Sequence, residues 1–300
     1  MLSSATAWRR LPGAPRETQP LPAWARILVA SLPTTTARML ELDALHRTGR
    51  RLDPRLRGLV RWVAANANRC EYAKAVALAD LARIGVSEAQ LARLVAGKRG
   101  VTPAEKAAMR FAQGMMVEPN GVADDDVRTL IAVLGEEATV ALVALLAYAS
   151  FQDRLLLALG VPVEPEGPPP PLVGSLAVPD PPTPAHAAPP RAKSRPRARR
   201  KAAAPTAEWL ELQAGLALRK ERVGRMRIPT REEVLARIGD DHPAAWQADI
   251  LWSRICYGFQ PELTDAWFAC VSAFRQECEL DPVFMQCVFW FVARSVECFY

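Results

Sequence analysis

Histidine and cysteine are both scarce in this chain, with three and six among 300 residues. The histidines, His46, His186 and His242, are too far apart to form a His-x-x-x-His metal pair, and no Cys-x-x-Cys occurs. Six cysteines are too few for a disulfide scaffold. Only Cys70 lies in the first half; Cys256, Cys270, Cys278, Cys287 and Cys298 follow in the second, at spacings that fit no zinc pattern. A glycine-rich phosphate loop and a serine nucleophile elbow are also missing, which argues against nucleotide-binding and serine-hydrolase chemistry. No stretch alternates with period two for long enough to suggest a sheet. The longest uncharged apolar run, Ala138–Phe151, falls short of the roughly 20 residues a membrane span needs. The N-terminal MLSSATAWRRLPGAPRE has no apolar core of the kind a secretory signal carries. These absences lead us to expect a soluble, cytoplasmic protein with reduced thiols, no metal, no cofactor and no membrane partner.

The net charge of +6 is local. Segment 191–201 (RAKSRPRARRK) carries seven positive charges and no acid, so the rest of the chain is nearly neutral. Weak polyanion contact would therefore fall on that segment. With no aromatic residue interleaved for base stacking, a solvated tether is the simpler reading.

Helical patterning dominates elsewhere. Leu56, Leu59, Val60, Val63, Ala64 and Ala67 follow one another at spacings that mark one helical stripe, behind Asp53 as N-cap and Pro54 in the first turn. Gly85 ends the next helix, and Ser87-x-x-Gln90, Thr102-x-x-Glu105 and Thr230-x-x-Glu233 read as capping boxes. Asp124–Asp126 opens a further helix, and 138–159 reads as a central helix or a broken pair with a more polar point at Phe151-Gln-Asp-Arg154. Proline, alanine and basic residues fill 164–205, which reads as an extended linker. The organisation expected is a flexible N-terminus (1–20), a first helical domain (21–163), a disordered linker (164–205) and a second helical domain (206–300).

The chain also repeats itself. LDPRLRGLVRWVAANANRCEY (52–72) and LDPVFMQCVFWFVARSVECFY (280–300) share eight identities in 21 positions. Average composition would give about one or two. The first copy, with VTPAEKAAMRFAQ and LLLALGVPVEPE downstream, resembles the carboxymuconolactone decarboxylase and alkylhydroperoxidase-D-like family over residues 21–165. A second, truncated likeness covers 240–300.

The resemblance implies an all-α helical bundle, here duplicated, that assembles as an oligomer. It also implies a thiol peroxidase centre, in which a glutamate precedes Cys-x-x-Cys-x-x-x-His by eleven residues. In such a centre a helix N-terminus favours the thiolate, the acid and histidine move protons, and a dithiol partner reduces the disulfide formed with the hydroperoxide substrate. Carried over to this chain, Cys70 takes the first cysteine's place and Tyr72 that of the residue before the second cysteine. Gly58, Ala73 and Ala77 stand where the glutamate, second cysteine and histidine belong, so the first copy reads as degenerate and Cys70 as a buried small hydrophobe. In the second copy Cys298 and Tyr300 remain, with Gln286 in the glutamate's place.

Three explanations compete for the break after Tyr300: truncation, a genuine non-catalytic fragment, or a selenocysteine at the next position. The expected function is a thiol peroxidase in intact form, inactive as 300 residues. The alternatives are a non-enzymatic helical assembly module and, against the loss of the Glu and His positions, lactone decarboxylation.

Overall fold

The computed structural model describes residues 1–13, 19–96, 100–176, 178, 224–296 and a few positions between 206 and 215. The fold is all-α, with no strand among the described residues. The chain divides into two compact units, one of residues 1–181 with 225–278, the other of 182–224 with 279–300.

In the first unit, α1 (Ser4–Trp8) and α2 (Ala23–Leu28) lead into α3 (Pro33–Thr48). Residues 1–13 are ordered against this core: Trp8 is buried and its indole N–H donates to the Gln19 carbonyl at 2.7 Å. A buried tryptophan contributes a large apolar area to the core.

Helix α4 (Pro54–Ala67) begins as the sequence predicts, with the Asp53 carboxylate accepting from the amides of Arg55 and Leu56. Arg69, at φ +56°, turns the chain into α5 (Glu71–Arg83). Helices α6 (Glu88–Val95) and α7 (Pro103–Val117) open with the capping boxes at Ser87 and Thr102. Helix α8 (Asp124–Leu134) follows, then α9 (Glu136–Ala158), a single continuous helix. By length and hydropathy α9 could cross a membrane, but over half of its most apolar window is buried. It packs against α4, α7 and α8, as a core helix does.

Residues 164–176 are extended, as their prolines dictate, yet they lie against the helices. The Gln19 amide donates to the carbonyls of Pro170 and Pro171 at 3.3 and 3.2 Å, and Leu176 is buried. Proline leaves carbonyls unpaired along an extended chain, and arginine and glutamine side chains of the bundle collect them. The remainder of the linker, including 191–201, lies outside the described residues apart from Val178.

Helix α10 (Arg231–Ile238) starts at the Thr230 capping box; α11 (Leu251–Phe259) and α12 (Pro261–Glu277) complete the first unit. Helix α12 runs along α3, so residues 225–278 join the first unit rather than a separate second domain. The contact is capped across the chain. Helix α3 has no side-chain N-cap of its own, and the Glu277 carboxylate accepts from the amides of Thr34 (2.7 Å) and Thr35 (2.8 Å) and from the Thr35 hydroxyl (2.7 Å).

The second unit contains α13 (Pro282–Ser295), started by Asp281 as α4 is by Asp53. Phe284, Phe289, Trp290 and Phe291 on it are all exposed.

Candidate functional site

The helix–turn–helix of α4 and α5 brings the motif positions together and fills them with apolar contacts. Cys70 is the N-cap of α5 and is 1 % exposed, among buried residues that include Trp24, Tyr72 and Ala73. Burial pushes its thiol above the ordinary value; the Ala73 amide and the charge of Arg61 only partly offset this. Tyr72 is buried with its hydroxyl donating to Glu164 Oε1 at 2.8 Å. Burial and Glu164 together raise its pKa. Ala73 and Ala77 are 0 % and 1 % exposed. At Gly58 a Cβ would lie 2.5 Å from Leu81 Cδ2, so Leu81 occupies the direction in which a glutamate would leave the helix. Cys298 and Tyr300 lie outside the described residues; Gln286 is on α13.

Gly58 and Ala77 line a small cavity of about 160 Å³ between α3, α4, α5 and α9. Several charged and polar side chains on its lining pair with one another or with neighbours. Asp43 Oδ1 accepts from the Tyr148 hydroxyl (2.9 Å) and the Gln152 amide (3.0 Å). Arg61 pairs with Asp153, which is fully buried, and donates to Gln152 Oε1 at 3.2 Å. Arg47 reaches Asp43 (3.2 Å) and forks onto Asp80, with both hydrogen bonds at 2.8 Å. Its guanidinium stays charged despite burial because these two carboxylates outweigh the desolvation. His46 stacks on Tyr148 with ring centroids 4.3 Å apart. Burial, reinforced by Arg61, brings its pKa down to about 3, so the imidazole is neutral.

Sequence reasoning did not single out this network. One trace of it was visible, the polar point Gln152-Asp153 in an otherwise apolar helix. Asp43, His46 and Arg47 on α3, and Arg57 and Arg61 on α4, sit three or four residues apart on their helices, the spacing of one face. Their partners come from elsewhere in the chain and cannot be read locally. Chemically the cavity gathers the Arg47 and Arg61 ion pairs around a neutral imidazole, with Arg57 on its lining outside any ion pair among the described residues. Cys70 does not line it.

Cys256 and Cys270 are pushed up to about 11 and 12 by burial, whereas Cys287 is exposed. Among the described residues no group of three or more His, Cys, Asp or Glu side chains is placed to hold a metal ion.

An all-α bundle organised on a helix–turn–helix, with its motif cysteine at the N-cap of the second helix, defines the class. Residues 33–114, from α3 into α7, match the family model described as Carboxymuconolactone decarboxylase family. This part of the chain is a domain of that family, which includes alkylhydroperoxidase-like members. No curated protein matches the chain.

Proposed function

We propose that the domain at 33–114 is a catalytically silent member of its family, a helical scaffold that supports assembly. One observation carries the reading. The positions where a thiol peroxidase centre needs an acid, a second cysteine and a histidine are Gly58, Ala73 and Ala77, and Leu81 fills the space beside Gly58. A lone buried cysteine with a raised pKa supplies neither a thiolate nor a resolving partner. The exposed aromatic residues of α13 favour homo-oligomerisation, since such patches mark association surfaces.

A second reading rests on the repeat. Hydroperoxide reduction would then belong to an intact second motif copy that carries the attacking nucleophile after Tyr300, with Cys298 as resolving thiol and a dithiol as reductant, in a cytoplasmic protein; the 300 residues alone would be inactive. Its support is the set of eight shared identities and the matching Asp-Pro helix starts at Asp53 and Asp281.

Steady-state reduction of cumene hydroperoxide by the full chain, with dithiothreitol as reductant, separates the two. The scaffold reading expects no turnover above the uncatalysed rate and no effect of Cys70→Ser. Turnover lost in Cys70→Ser would overturn it. With a cysteine added after Tyr300, turnover kept in Cys70→Ser but lost in Cys298→Ser would establish the second reading.

A further inference from the structure

Arg57 and His46 line two cavities. One is the small cavity beside Gly58; the other has a volume of about 580 Å³. The larger cavity is walled by the end of α3 and the loop to α4 (Leu45 to Leu52), by Ala141 and Leu145 of α9, and by Phe259–Leu263 where α11 passes into α12. All of these walls belong to the first unit. About half of its lining is apolar, through Leu45, Leu52, Leu145, Phe259, Pro261 and Leu263.

Charge in this cavity is unbalanced. Arg51 is neutralised by Glu137 at 2.7 Å. Arg57 is half-buried, and among the described residues no carboxylate comes within 4.0 Å of it. Its NH1 donates to the carbonyls of Gly49 (2.5 Å) and Leu52 (3.3 Å), which hold the guanidinium in place and leave its other N–H groups for a ligand. Burial lowers its pKa, the sign of a cation lacking a close counter-ion; Asp80 and Asp53 compensate only in part. Arg50, also on the lining, is exposed and has no ion-pair partner among the described residues. The acid on the lining, Glu262, is exposed.

His46 adds a second indication. It is 7 % exposed and neutral, and neither ring nitrogen hydrogen-bonds to a described residue. Helix α12 also begins on this wall, with Pro261 in its first turn and no side-chain cap. The positive end of its dipole therefore adds to the field of the arginines.

We infer that this cavity binds a small apolar carboxylic acid, aryl or short-chain acyl, as its anion. The carboxylate pairs with Arg57, whose planar fork matches it, and His46 supplies a neutral hydrogen bond. The ligand body lies against Leu45, Leu145, Phe259 and Leu263. A monoanion fits better than a phosphate, because one half-buried cation is uncompensated and a second negative charge would be left against apolar walls. The inference does not depend on whether the motif side of the domain is catalytic.

Isothermal titration of the full chain with octanoate and 2-naphthoate tests it, with octanamide as the uncharged control. The expected result is saturable one-to-one binding of a carboxylate, at least ten-fold tighter than octanamide. Arg57→Gln should weaken it ten-fold or more. Arg57 also ties down the α3–α4 loop, so Thr48→Glu serves as a second variant: Thr48 is exposed on the lining, and its replacement brings a competing carboxylate to the rim. A ten-fold loss is expected there too, with the melting temperature unchanged. Absence of saturable binding by both acids, equal binding of octanamide, unchanged affinity in folded Arg57→Gln or Thr48→Glu, or inorganic phosphate displacing the acids at equal concentration would each overturn the inference.

Discussion

His46 shows how one residue's environment sets its chemistry. In the sequence it is one of three isolated histidines with no ligand spacing. In the fold it is buried against Tyr148 beside the charge of Arg61, and its pKa falls from 6.5 to about 3. The sign of the consequence follows from proton counts. Between those two values the unfolded chain binds a proton that the native chain does not, so native stability is full above pH 6.5 and declines as the pH falls. His46→Gln removes this slope. The gap between wild type and variant should therefore narrow by on the order of 2 kcal/mol between about pH 7 and 5, read from urea unfolding at a series of pH values. At the motif positions the residues were legible from sequence alone: Gly58, Ala73 and Ala77 lack the needed groups wherever they are placed. What sequence could not give was Leu81 closing over Gly58, because that contact joins two helices.

At the scale of elements, the helix starts were legible because capping is local. Asp53, Ser87, Thr102 and Thr230 each bond amides within three residues of themselves. Helix α3 is capped differently, by Glu277 from the far end of α12. Burial would raise the Glu277 carboxyl, but the hydrogen bonds from Thr35 and Thr34 outweigh it and hold the group below the usual range. Its stabilisation is thus present above the unfolded pKa of about 4.5 and is lost as the pH falls through the folded value. Glu277→Ala should cost about 1 kcal/mol at neutral pH, a typical cap loss, and progressively less below pH 4.5. Chemical denaturation at two pH values measures both parts.

For the molecule as a whole, the boundary drawn from composition and the boundary drawn by packing differ. The proline-rich stretch suggested two helical domains, yet 225–278 completes the first unit. Trp267 of α12 stacks edge-on against Phe151 of α9 at 5.7 Å, and Cys270 is buried in the same core as α3. A fragment ending at residue 181 would uncover the α3 face and lose the Glu277 cap. We expect it to be cleaved by thermolysin under native conditions at least ten-fold faster than the full chain, and co-expressed 225–278 to restore protection. Equal cleavage rates would show that the first unit does not need α12.

The sequence by itself determined that the fold is helical, where several of its helices begin, and that glycine and alanine stand at Gly58, Ala73 and Ala77. Each of these depends on residue identity and short-range spacing. Only the tertiary structure decided which carboxylates neutralise Arg47 and Arg61, why His46 stays neutral, that Arg57 is left without a counter-ion, and that α12 belongs to the first unit. Those outcomes depend on which buried charges meet across the bundle, and partners up to 243 residues apart cannot be paired from the chain alone.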